Sequence, residues 1–135
     1  MPEGFYTLSD KNPATNYYLA MLVSYPNLSD RILGDKRDPG GEIMIHGGCG
    51  SVGCLAMSDD RIQEIWVATT ALRSAGGVVQ VHIYPTRDMA GLLAKAEGDA
   101  HRPFWENLQE GFDHFEKHRK IGFIRVDRRG RYLFH

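Results

Sequence analysis

From Asn16 to Ser24 the chain places Tyr17, Leu19, Met21 and Val23 on one face of an extended segment, and Tyr18, Ala20 and Leu22 on the other. Apolar residues on both faces predict a strand buried on both sides. Ile43 and Ile45 alternate with Met44 and His46, again with the period of a strand. Val79, Val81 and Ile83 share a face opposite Gln80, His82 and Tyr84, which predicts a strand over 78–84 ended by Pro85. Two longer stretches switch to helical spacing. Ile62, Ile65, Trp66, Thr69, Leu72 and Arg73 mark a helix over about 59–75, stopped by Gly76-Gly77. Phe104, Leu108, Phe112 and Phe115 form the buried stripe of a helix over about 103–118, with Pro103 in its first turn.

Weaker signals fill the gaps. Residues 2–8 read as an edge segment, because Pro2 cannot donate to a ladder and Gly4 interrupts the run that Phe5 and Tyr6 favour. Lys11-Asn12-Pro13 reads as a turn. Residues 28–34 suit a short helix with Ser29 as cap and Ile32 and Leu33 inward, and 88–96 another. Asp35 to Gly41 is a polar loop. Gly122–Val126 and Arg131–Phe134, joined by Asp127-Arg128-Arg129-Gly130, predict a terminal β-hairpin.

Composition narrows the class without naming a chemistry. The 135 residues suit one domain with a sizeable core, and 42% hydrophobic with 24% charged is ordinary for a globular chain. A net charge of −1 gives no bulk attraction to nucleic acid or an anionic membrane. No apolar run approaches the roughly 18 residues of a membrane span. Two cysteines are too few for a disulfide scaffold.

The chemistry concentrates between Glu42 and Asp60. A short strand ending at His46 runs into Gly47, Gly48, Gly50 and Gly53, then Cys54, then Ser58-Asp59-Asp60 at a helix start. One imidazole and one thiol sit eight residues apart around glycines. Thiol-based acyl transfer needs a thiol, a base within reach, and backbone N–H groups for an oxyanion. Cys54 is the candidate nucleophile and His46 its base. The N–H groups of Gly53 and Cys54 are the candidate oxyanion hole. A helix beginning close after Cys54 favours thiolate over thiol. The bland readings are a buried structural cysteine and a strand-end histidine bonded to a nearby carbonyl.

The pattern His46-Gly47 … Ser51-Val52-Gly53-Cys54-Leu55-Ala56-Met57 resembles the signature of the YkuD-domain family, the catalytic domain of L,D-transpeptidases that act on peptidoglycan. The YafK-like branch is closer: it shares the short His-to-Cys interval, a cysteine at Cys49, and Ala56 where many relatives carry Arg. Pro2-Glu3-Gly4-Phe5-Tyr6, Ser24-Tyr25-Pro26-Asn27, His82-Ile83-Tyr84-Pro85 and Phe104-Trp105-Glu106-Asn107-Leu108 resemble that branch too, so the resemblance covers essentially the whole chain.

The resemblance implies an α+β fold, a mainly antiparallel twisted β-sheet or sandwich with two main helices. It implies a thioester on Cys54, with His46 held by a backbone carbonyl around Gly47-Gly48, and no cofactor. It implies peptidoglycan stem peptides as partners, and for the YafK-like branch a peptidoglycan-linked lipoprotein. It implies a periplasmic or envelope location. No signal peptide precedes Pro2, and relatives usually carry earlier strands, so a single N-terminally shortened catalytic domain over 1–135 is expected. Val52 departs from the family, most of whose members carry a second His there.

Ser51 either shapes its own turn or donates to substrate. His82 is a candidate to line the acyl-acceptor side of the substrate cleft, against the plainer reading of a satisfied histidine; Arg87 and Arg61 are candidates to bind a substrate carboxylate, against plainer readings as solvated arginines. The basic run from Lys117 to Arg131 reads as a solvated face. Two rival classes remain: an inactive peptidoglycan-binding module, and a Cys2His2 zinc site from His46, Cys49, Cys54 and His82, whose loose spacing disfavours it.

Overall fold

The computed structural model describes residues 1–12, 18–50 and 53–135, and of residues 9–12 only the backbone. The chain is α+β. In order it forms β1 (Gly4–Asn12), β2 (Ala20–Val23), α1 (Leu28–Leu33), β3 (Met44–His46), β4 (Leu55–Ala56), α2 (Asp59–Ser74), β5 (Gln80–Ile83), α3 (Met89–Lys95), α4 (Arg102–His118), β6 (Ile124–Val126) and β7 (Tyr132–Phe134). It packs as two compact units, one of residues 1–25 and 40–82, the other of 26–39 and 83–135.

The first unit is built on a mixed five-stranded sheet in the order β4-β3-β2-β1-β5. β1 pairs antiparallel with β2, and β2 with β3, whereas β3 and β4 run parallel. β1 is therefore an interior strand and not the edge that Pro2 and Gly4 suggest: its ladder begins after Pro2. Lys11 and Asn12 pair with Met21 and Ala20 instead of turning, and a register shift between Leu8 and Lys11 takes up the irregularity. Pro13, Asn16 and Tyr17 lie outside the described residues. Ala20 and Met21 are completely buried, as strand burial on both faces requires. Ile62 of α2 is also fully buried, and Thr69 follows two turns later. Leu72, placed inward by its spacing, is exposed near the helix end.

The second unit packs α3 and α4 with the β6–β7 hairpin. Asn27, and not Ser29, caps α1: its side chain accepts from Asp30 N–H, and Asp30 accepts from the Asn27 amide. Ser29 is buried and donates its hydroxyl to the Gly130 carbonyl at 2.6 Å. Ile32 is half-buried, but Leu33 is 53% exposed, against the inward placement its sequence position suggests. Leu108 of α4 is fully buried and the three phenylalanines of its stripe are half-buried. Asn107 is buried one position away. Its Oδ1 accepts the Tyr132 amide at 2.7 Å and its Nδ2 donates to the Tyr132 carbonyl at 3.0 Å.

Candidate active site

His46 ends β3 and is completely buried. Three hydrogen bonds stitch the chain after it to the start of α2. Met57 N–H donates to the His46 carbonyl at 2.9 Å, Ser58 N–H to the Gly48 carbonyl at 2.9 Å, and Gly48 N–H to Asp59 Oδ1 at 2.8 Å. The Gly47 N–H is gripped from the other side by the carbonyls of Tyr18 at 2.8 Å and Leu19 at 3.2 Å. A Cβ at position 47 would collide with the Tyr18 carbonyl, Asp59 Oδ1 and Ile62, so only glycine fits. Leu19 presents its carbonyl from a backbone at φ +45°, a left-handed conformation that costs a branched residue energy.

This scaffold sets the histidine's tautomer. Nδ1 lies 2.5 Å from the Gly47 carbonyl. A carbonyl only accepts, so Nδ1 carries the proton and Nε2 carries the basic lone pair. The carbonyl that the resemblance implied is thus Gly47 itself. Its N–H donates to the Tyr18 and Leu19 carbonyls, so Gly47 holds the backbone around the imidazole.

Cys54 immediately precedes β4. Ile45 is registered with Leu55, and His46 with Ala56. Ala56, registered with His46, shares its face, and Cys54 lies two residues before Ala56, just outside the strand. Parallel strands so close in sequence need a loop that doubles back; Gly48 and Gly53 turn it with φ of +76° and +87°. The Cys54 thiol is half-exposed and donates to the Glu42 carbonyl at 3.9 Å.

α2 starts at Asp59, where its spacing predicts, with β4 between Cys54 and the helix. Ser58 is the N-cap residue, but at φ +64° its side chain makes no capping bond. Asp59 lies in the first turn of α2 with Asp60, where acidic side chains suit the helix dipole, and also holds Gly48.

The remaining candidates scatter. His82 lies on β5, three strands from β3, beyond β2 and β1. It packs edge-on to Phe5 at 5.1 Å, its Nε2 is 3.2 Å from Gln80 Oε1, and burial pushes its pKa below the ordinary value. Arg87 is exposed in the second unit, on the turn before α3. Ser51 and Val52 lie outside the described residues. Cys49 is exposed. Among the described residues no group of three or more His, Cys, Asp or Glu is arranged to hold a metal ion, and the sheet order keeps His82 away from the other three members of the zinc quartet.

A curled mixed sheet in an α+β chain, with a buried imidazole beside the strand that a cysteine leads into, is consistent with the YkuD-type fold. No family model matches the chain. It is 38% identical over 135 residues to the curated protein "Putative L,D-transpeptidase YafK" of Escherichia coli strain K12, and equally to its namesake in E. coli O157:H7. That similarity supports assignment of the chain to the YafK-like L,D-transpeptidase family. It takes in 98% of this chain and 53% of each relative, so the chain spans about half the length of the curated relatives it matches.

Proposed function

We propose that residues 1–135 act as one YkuD-like catalytic domain that transfers acyl groups of peptidoglycan through a thioester on Cys54. The observation that carries this reading is the parallel register of His46 with Ala56, two residues beyond Cys54 in sequence. In the proposed reaction His46 Nε2 takes the thiol proton as sulfur bonds to the carbonyl of a diaminopimelate residue in a stem peptide. The N–H groups of Gly53 and Cys54 hold the tetrahedral oxyanion. The C–N bond then breaks, and the imidazolium returns its proton to the leaving amine. Water or a second amine attacks the thioester, His46 takes the attacking group's proton, and as the C–S bond breaks the imidazolium returns that proton to sulfur, which restores the thiol and the neutral base.

We favour water. The His46-to-Cys54 interval is short, and Val52 and Ala56 stand where the commoner motif carries His and Arg, so less of the site is equipped to recognise an acceptor and exclude solvent. The proposed activity is hydrolysis of a diaminopimelate-linked amide, including one that ties a lipoprotein to the wall. L,D-transpeptidation is the alternative outcome of the same intermediate. The substrate places the enzyme in the periplasm or envelope; among the described residues no helix is long and apolar enough to cross a membrane.

The test is incubation with purified muropeptides and with lipoprotein-linked sacculi, analysed by mass spectrometry. Released product together with an acyl adduct on Cys54 is expected. Tight binding to sacculi with neither product nor adduct points to the inactive binding module instead.

A further inference from the structure

Charge is unevenly spread along this nearly neutral chain. Between Lys117 and His135 there are seven Lys or Arg and one Asp, a net +6, which leaves −7 for the rest of the chain's −1. The second unit gathers that charge on the end of α4 and on the hairpin. Arg119 pairs with Glu116, and Arg131 with Glu110. Lys117, Lys120, Arg125, Arg128 and Arg129 are in no ion pair among the described residues, and all five are exposed.

The hairpin register sorts its side chains into two faces. Ile124 is opposite Phe134 and Val126 opposite Tyr132, and these four are buried or half-buried. Arg125 is opposite Leu133 on the other face, which Phe123 continues. Phe123 is 63% exposed and Leu133 39% exposed. The Arg125 guanidinium lies over the Phe123 ring at 5.4 Å. A face built only for a soluble polyanion has no use for exposed apolar side chains among its cations. A bilayer surface uses both: lipid phosphates attract the cations, and an aromatic and an aliphatic side chain enter the apolar layer just beneath.

We infer that the outer face of the β6–β7 hairpin, with its Arg128-Arg129 turn, is a docking surface for an anionic phospholipid bilayer. The inference goes beyond the acyl-transfer reading and does not depend on it. The protein then lies on a membrane through this face while its other residues stay in water.

The experiment is co-sedimentation with vesicles of phosphatidylcholine alone and of phosphatidylcholine with phosphatidylglycerol, alongside retention on immobilised heparin. Binding to the phosphatidylglycerol vesicles is expected to be at least about tenfold tighter, and to weaken with salt. The double variant Arg125→Glu/Arg129→Glu should lose that preference. Phe123→Ser should weaken vesicle binding severalfold while leaving heparin retention unchanged. All three positions are exposed, and circular dichroism checks that each variant is folded. Equal binding to both vesicle types overturns the inference. So does heparin retention with vesicle binding that Phe123→Ser leaves untouched, which identifies a site for a soluble polyanion.

Discussion

Gly48 donates its amide to the Asp59 carboxylate across 2.8 Å, tying the turn after His46 to the first residue of α2. Asp59→Ala removes the only acceptor in that bond and should cost about 1 kcal/mol of stability. The local effect should be larger than the global one, because the same turn holds the Gly47 carbonyl against the imidazole. We expect a melting temperature lowered by a few degrees and a larger fractional loss of kcat. Asp59→Asn, which keeps an acceptor oxygen, should recover most of both. Equal losses in the two variants would show that the charge, and not the bond, matters.

His46→Ala should reduce turnover by at least about 100-fold, the lower range for a positioned acid–base group. His46→Gln should do the same with a smaller packing defect in this fully buried site. The readout is product release from a diaminopimelate muropeptide by folded variants. A loss within about tenfold, roughly 1.4 kcal/mol of barrier, rules out His46 as the base.

Alkylation at neutral pH separates the two thiols. Cys49 is exposed and Cys54 half-exposed, so access alone favours Cys49. If His46 accepts the Cys54 proton, Cys54 should label faster despite its lower exposure. Rates on Cys49→Ser and Cys54→Ser give the comparison, and the advantage should vanish in His46→Ala. Faster or equal labelling of Cys49 removes Cys54 as the nucleophile.

Burial holds the His82 pKa below its ordinary 6.5. The unfolded chain therefore takes up this proton first as pH falls. Stability from the neutral ring is complete above about pH 6.5 and is lost progressively below it. Thermal melts from pH 8 to pH 5 should show a steeper decline for the native protein than for His82→Phe, which keeps an aromatic ring against Phe5. Identical slopes would assign the acid sensitivity elsewhere.

Competition for the thioester tests the proposed preference for water. A defined acyl donor supplied with excess stem-peptide amine should yield mainly hydrolysed donor. Mainly 3–3 cross-linked or amine-exchanged product restores transpeptidation.

Residues whose partners lie within a few positions were the most legible in sequence. The α4 stripe, the Gly76-Gly77 stop and the terminal hairpin each depend on spacing or turn chemistry alone. β4 left no trace because two residues carry no period, and its existence depends on β3 across the sheet. β1 looked like an edge because Pro2 and Gly4 are visible, whereas β5, which covers its far side, arrives some seventy residues later. His46 and Cys54 could be picked out by residue type. The pairing of His46 with Ala56 just beyond Cys54, and the carbonyls of Tyr18 and Leu19 that clamp Gly47, required strand order.

Asn107 has a consequence beyond joining a helix to a hairpin. Along β7, Arg131 and His135 turn their backbone groups toward β6, so the intervening Tyr132 turns its own outward. The Asn107 carboxamide, itself the shape of a peptide unit, occupies both of those groups. It stands in for a third strand one residue long. A passing extended chain finds the Tyr132 position already filled, so the β7 edge is closed to foreign strands at that residue.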